Sequence, residues 1–218
     1  MSLSLPQTPD LDCQKCPRLF AFRKENTEKY PDFFNAPVPP FGGLSSQLLV
    51  IGLAPGLKGA NCTGRPFTGD YAGDLLYPTL QKYGFATGVY RGIKEDGFQL
   101  KNCRITNAVR CVPPQNKTIA EEEANCRPYL VDEIAHMPNL KIMLALGSVA
   151  HNAVLQTFGL KKKLYKFAHN AVHRFEGEPF ILLNSYHCSR YNTNTGRLTE
   201  QMFFDVFDTV LQLLGDES

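Results

Sequence analysis

Four of the seven cysteines, Cys13, Cys16, Cys111 and Cys126, stand in a pattern that suits ligation by thiolates. Cys13 and Cys16 form C-x2-C, in which a tight turn brings two sulfurs toward one ion. Cys111 and Cys126, spaced C-x14-C, can close a four-sulfur site. Zinc and a [4Fe–4S] cluster fit this spacing equally, and ordinary buried thiols are the plain alternative for the second pair. Of the rest, Cys103 reads as core, while Cys62 and Cys188 have no assignment. An odd count of seven argues against a complete disulfide framework. A second set of groups able to do chemistry (Pro-Gly, Asn, His and Arg) collects in segments 53–74, 108–115, 147–151 and 185–196. Neither G-x-S-x-G nor G-x4-G-K-[ST] occurs, which disfavours a serine-hydrolase elbow and a P-loop.

Those four segments follow short apolar runs at 48–52, 104–107, 142–146 and 180–184. Each run is strand-length and rich in Leu, Ile or Val, as expected for strands covered on both faces. Helical patterns lie between them at 72–83, 119–137, 148–158 and 198–214. Thr118, three residues before Glu121, predicts a capping box, and Ser148 after Gly147 marks a second helix start. Strand and helix alternating four times predicts one α/β domain: a parallel sheet with helices on both faces. Residues 1–40 are expected to pack onto it as an N-terminal segment. In such folds ligands bind outside the carboxyl ends of the strands, which is where the four segments fall.

With 218 residues, 43% hydrophobic and 20% charged, the composition is that of an ordinary globular domain. No apolar run approaches the roughly 18 residues of a membrane-spanning helix, and residues 1–6 lack the pattern of a signal peptide. A cytoplasmic protein is therefore expected, its cysteines reduced unless a metal holds them. The net charge of +2 is unevenly spread: residues 134–175 carry Lys141, Lys161, Lys162, Lys163, Lys166 and Arg174 and no acid. Such a block suits a polyanion such as nucleic acid, or equally a solvated surface loop.

Five runs then occur in order: G-L-A-P-G at 52–56, T-G-R-P-F-T-G-D at 63–70, I-T-N-A-V-R-C-V-P-P at 105–114, H-C-S-R-Y-N-T at 187–193 and T-G-R-L-T at 195–199. With the cysteine spacing, the chain resembles the family-five (type B) uracil-DNA glycosylases, relatives of the family-four iron–sulfur enzymes. The resemblance spans residues 13 to about 199. It implies a three-layer α/β/α sandwich on a four-stranded parallel sheet, and a structural [4Fe–4S] cluster on Cys13, Cys16, Cys111 and Cys126. It further implies a monofunctional DNA glycosylase that hydrolyses the N-glycosidic bond of uracil, with hypoxanthine or xanthine as further bases. The partner would be DNA containing deaminated bases, with no membrane involved and a monomer expected.

The same resemblance assigns roles. Phe67 matches the residue that stacks on the flipped base, and Asn107 the amide that reads its Watson–Crick edge. His187 matches the histidine that stabilises the departing anion. Ser189 and Arg190 lie on the loop that resembles the minor-groove wedge, and Arg190 and Arg197 suit phosphates. Ala54 and Gly56, with Pro55, offer backbone groups to the attacking water. Leu53 and Ala54 stand where related families carry a carboxylate or amide, so Asp70 is the expected water-activating residue and Asp74 the runner-up. Without the resemblance, Asp70 reads as a helix N-cap, Asn107 as a strand-end turn residue and Phe67 as core. The other four histidines match no motif. Cys188 replaces the family's usual Pro, a change expected to loosen the His187 loop, and Tyr191 replaces a polar residue. The competing reading is a catalytically weak protein that binds damaged DNA.

Overall fold

The computed structural model describes residues 5–215. In chain order its elements are α1 (Pro17–Lys29), β1 (Phe41–Gly42), β2 (Leu48–Gly52), α2 (Ala60–Thr63) and α3 (Tyr71–Lys82). There follow β3 (Ala86–Thr87), β4 (Gln99–Leu100), β5 (Cys103–Asn107), α4 (Ala120–Ala135) and β6 (Ile142–Leu146). The chain continues through α5 (Ser148–Thr157), β7 (Val172–Arg174), β8 (Ile181–Ser185), α6 (Arg190–Asn194) and α7 (Glu200–Gly215).

The main sheet has the order β1-β5-β2-β6-β8-β7. Its four central strands run parallel, with Leu48 opposite both Cys103 and Ile142, and Ile142 opposite Ile181. The expected four-stranded parallel sheet is thus its core. The correction is that β1 and β7 add an antiparallel strand at each edge. Both are too short, at two and three residues, to carry a readable pattern. Every residue of the four central strands is buried.

Alternation along β2 sorts the helices into layers. Leu48 and Val50 pack with Leu76, Leu80, Phe203 and Phe207 of α3 and α7. Leu49 and Ile51 pack with Leu130, Ile134, Val154 and Leu155 of α4 and α5. The apolar stripe of α7, Phe203, Val206, Phe207, Val210 and Leu213, has the spacing of a helix with one buried face. The α/β sandwich of the sequence reading is therefore present.

Two local expectations need correcting. The start of α4 sits one residue later than Thr118 and Glu121 predict, and only half of the capping box forms: the Ile119 N–H donates to Glu122 Oε2 at 3.0 Å, the Ile119 side chain has no acceptor to return the bond, and Thr118 Oγ1 donates to Glu123. The 1–40 segment also contains a helix, α1, which the apolar pattern did not predict. The face α1 buries consists of Leu19, Arg23 and Asn26, so its inner surface is mainly polar. Pro17 at its first position was the available start signal.

On β5 the α4-facing positions are Arg104 and Thr106 rather than aliphatic residues. Glu133 of α4 accepts from Arg104 Nε at 2.6 Å, Thr106 Oγ1 at 2.8 Å and Arg110 Nη2 at 2.5 Å, all buried. Burial opposes its charge, but Arg110 and Arg104 outweigh that and hold the carboxyl below its ordinary range. Removing one member of such a set leaves buried charges uncompensated. Glu133→Ala should therefore lower unfolding free energy by about 3–5 kcal/mol in urea titrations. The stability this carboxylate contributes should fade as pH falls below the ordinary glutamate range.

Candidate base-binding site and cysteine centre

A cavity of about 400 Å³ opens at the carboxyl ends of β2, β5 and β8. The loop after β2 supplies Leu53, Ala54, Pro55 and Gly56, and the stretch leading into α3 supplies Phe67, Asp70 and Tyr71. Asn107 comes from the end of β5, and His187, Ser189 and Arg190 from the loop after β8. Eight expected site residues thus share one cavity: Ala54, Gly56, Phe67, Asp70, Asn107, His187, Ser189 and Arg190. Arg197 does not line it. Its guanidinium lies 4.8 Å from the Tyr186 ring, in an adjoining groove that meets the cavity at Leu53 and His187. Asp74 is exposed on the first turn of α3 and is not part of the wall. Tyr71, Pro113 and Asn116 line the cavity and were not singled out from sequence.

Phe67 and His187 face each other with ring centroids 6.0 Å apart and planes 27° from parallel. Asn107 and Phe67 both close over Gly52. A Cβ there would lie 2.4 Å from Asn107 Oδ1 and 2.6 Å from Phe67 Cζ, so only glycine lets strand end, amide and ring meet. Among the described residues neither the Asn107 amide nor the His187 imidazole is spent on a side-chain hydrogen bond. Both are therefore available to a ligand. Burial pushes the His187 imidazole down to about 4, leaving it neutral at pH 7, with one N–H donor and one acceptor nitrogen.

Asp70 is the N-cap of α3, and its carboxyl also lines the cavity. Its Oδ1 accepts from the Ala72 and Gly73 N–H groups at 3.1 and 3.2 Å, capping α3. Burial raises its carboxyl above the ordinary value, against the pull of those two N–H groups. The second oxygen, Oδ2, faces Gly56 and Gly59, where a Cβ would lie 3.2 and 2.5 Å from it. Cys188 corrects an expectation. Rather than slackening the loop, its thiol is fully buried and donates to the Ala72 carbonyl at 3.5 Å. The His187 loop is thereby tied to the turn that Asp70 caps. Tyr191 is exposed, and Ser189 Oγ caps α6 by accepting from the Asn192 N–H.

A second, smaller cavity is lined by all four paired cysteines, with Leu19, Phe20 and Tyr129 among its walls. All four are free thiols, and Cys111 and Cys126 are buried. Burial pushes the Cys111 thiol up to about 12, with the Arg23 charge opposing it. Arg110 acts likewise on Cys126. Arg23 Nε and Arg110 Nη1 are buried without a hydrogen-bond partner. Four soft donors around one cavity, beside orphaned cationic N–H groups, fit a thiolate-bound group of net negative charge. Among the described residues no three such side chains are drawn in to the spacing of a closed ligand set. The remaining histidines are structural where their contacts are seen: His151 lies between Asn184 Oδ1 and the Tyr165 carbonyl. No described helix is long and apolar enough to cross a membrane.

The sequence pattern of the Uracil DNA glycosylase superfamily matches residues 39–212. A type-5 uracil-DNA glycosylase of Thermus thermophilus is 41% identical over 208 residues, covering 93% of this chain and 94% of that protein. A type-5 uracil-DNA glycosylase of Pyrobaculum aerophilum is 36% identical over 200 residues, covering 90% and 86%. A type-4 uracil-DNA glycosylase from the same organism is 35% identical over 149 residues, covering 68% and 62%.

The burial of His187 has a measurable consequence. Between its ordinary value of 6.5 and its folded value of about 4, the unfolded chain binds a proton that the folded site refuses. Stability should fall on acidification through that window. An NMR titration of the imidazole nitrogens should place the His187 midpoint near 4; a midpoint near 6.5 would contradict the burial described.

Proposed function

The chain belongs to the uracil-DNA glycosylase superfamily, and on that premise we propose that this DNA glycosylase releases uracil from DNA by hydrolysis at the cavity of Phe67, Asn107 and His187. The observation that carries the reading is the meeting of an unspent amide, an unspent neutral imidazole and an aromatic face in one cavity. A uracil turned out of the duplex presents a planar ring, a donor–acceptor edge and a leaving nitrogen. Phe67 takes the ring face, and the Asn107 amide both donates to and accepts from the edge.

As the bond from the sugar C1′ to N1 of the base breaks, its electron pair moves onto the base. The neutral His187 N–H donates to O2 of the departing anion, a charge that develops only as the bond breaks. Asp70, with the Ala54–Gly56 backbone, holds the water that attacks C1′, and its Oδ2 receives the proton that water loses. Support for this role is the free second oxygen beside Gly56 and the carboxyl raised by burial. The oxocarbenium-like sugar is stabilised by that carboxylate and by the DNA phosphates. Ser189 and Arg190 approach the strand from the α6 loop, and Arg197 reaches a phosphate from the adjoining groove. A cavity of about 400 Å³ with no bulky side chain at Gly56 also leaves room for a two-ring base, so hypoxanthine and xanthine are included.

Cys13, Cys16, Cys111 and Cys126 would hold the [4Fe–4S] cluster, which would supply a structural tie and take no part in bond cleavage. The tie would join the segment around α1 to the strand-end loop after Asn107 and to α4, making one unit of the described residues. Reduced thiols suit the cytoplasm.

Single-turnover release from oligonucleotides carrying one uracil or one inosine tests the reading. His187→Ala should slow release by about 10²–10³-fold, the usual cost of losing one anion-stabilising donor, while binding to abasic DNA stays close to that of the parent. Binding without release by the parent protein would favour the damaged-DNA binder, for which Leu53 in the first loop is the specific support. For the cysteine centre, freshly purified protein should contain iron and acid-labile sulfide in equal amounts, and Cys111→Ser should lose both. Zinc in their place would overturn the cluster assignment.

A further inference from the structure

Phe67 carries φ of +52°, a left-handed conformation that a residue with a bulky side chain does not adopt unless its surroundings impose it. What imposes it lies behind the cavity wall. The Arg65 guanidinium donates through Nη1 and Nη2 to the two oxygens of Asp96, both at 2.8 Å, and through Nε to Thr68 Oγ1 at 2.7 Å. Arg65 and Asp96 side chains are 4% and 0% exposed. The rings of Phe41, Tyr77 and Tyr90 surround the guanidinium carbon at 5.2, 5.3 and 5.8 Å. Two of these rings also hold the backbone. Tyr77 Oη donates to the Pro66 carbonyl at 2.5 Å; Tyr90 Oη donates to the Phe67 carbonyl and accepts from the Gly69 N–H, both at 3.3 Å.

Asp96 is fully engaged as well, since it also accepts from the Arg91 and Phe98 N–H groups at 3.0 Å. Its carboxyl is held well below the carboxylate range, chiefly by its hydrogen bonds to Arg65. From the other side, the Phe67 carbonyl sits against the first turn of α3 so closely that a Cβ at Gly73 would lie 1.8 Å from it. Residues 65–69 are therefore fixed from both sides, and the single side chain they turn into the cavity is Phe67.

A buried ion pair adds little stability over apolar residues of the same shape, but a planar fork on a carboxylate fixes geometry closely. We propose that the Arg65–Asp96 pair, caged by Phe41, Tyr77 and Tyr90, is a positioning device that holds the Phe67 ring at the angle the bound base requires. Neither residue touches the base. The inference rests on the base-binding reading of the cavity and adds to it the residues on which the stacking face depends.

Asp96→Asn removes the charge while keeping the shape. Hydrogen exchange in that variant should accelerate in residues 65–70 and 88–98 and stay unchanged in the central strands. Single-turnover uracil release should fall about 10- to 100-fold, the scale expected when a reacting group is displaced by about an ångström. In a Phe67→Leu background the same substitution should cause almost no further loss, because both changes act through one ring. Losses that multiply, exchange that accelerates everywhere, or exchange that does not change would each overturn the proposal. If Asp96→Asn does not fold, Tyr90→Phe removes only the hydroxyl on Phe67 and Gly69 and is read by the same criteria. If the parent releases no base, the glycosylase reading fails by itself, and the local exchange response still decides for or against the brace.

Discussion

Glu133 is the group on which the arrangement of the whole molecule turns. A carboxylate buried between a helix and a sheet costs free energy unless each lone pair is met, and here three donors from one strand and its following loop meet it. Arg104 and Thr106 lie on β5, whose last residue is Asn107. Arg104 also donates to the Gly42 carbonyl, bringing the edge strand into the same network. Arg110 is next to Cys111, and α4, which carries Glu133, also carries Cys126. One anion therefore sets the register of β5 against α4, the position of the Asn107 amide and the approach of the second cysteine pair.

The two centres at this end of the sheet are built on different electrostatic plans. In the candidate cavity, burial leaves the imidazole neutral and raises the Asp70 carboxyl, and Leu, Ala, Pro and aromatic carbon form the walls together with Asn107, Ser189 and Arg190. A cavity of this kind suits an uncharged ring, with its neutral imidazole N–H free to meet charge that develops only along a reaction. At the cysteine centre Arg23 and Arg110 stand beside the sulfurs and offset part of the burial that pushes the Cys111 and Cys126 thiols up. Cys188 shows how economically the first plan is kept. A thiol fills apolar volume, adds no charge, and still ties the His187 loop to α3 through one weak hydrogen bond.

The sheet and its four large helices were legible because three of the four central strands are short runs rich in Leu, Ile and Val, and the strand and helix patterns alternate along the chain. The cavity's wall was legible because most of its residues stand in the segments after those strands, although Phe67 and Asp70 lie at the far end of the first of them, just before α3. What escaped notice is polar or distant. Helix α1 turns Arg23 and Asn26 inward, so apolar periodicity does not mark it. Asp96 lies 31 residues from Arg65, in a Gly-containing loop with no pattern of its own. Arg65 was quoted in a motif without a role. Arg197 falls in the adjoining groove because the short helix α6 and the turn after it carry it past the cavity mouth. The Thr118 signal missed by one residue because Glu122, not Glu121, is aligned to reach back to the helix start.

A parallel sheet left with bare edges would offer two rows of unpaired N–H and C=O groups to any passing strand. This chain ends its sheet with β1 and β7, antiparallel stubs of two and three residues. Neither is long enough to template a further ladder, so fibril-like stacking of one molecule on another finds no starting strip. Resistance to aggregation is thus built into the width of the sheet, at right angles to the strand ends where the candidate cavity opens.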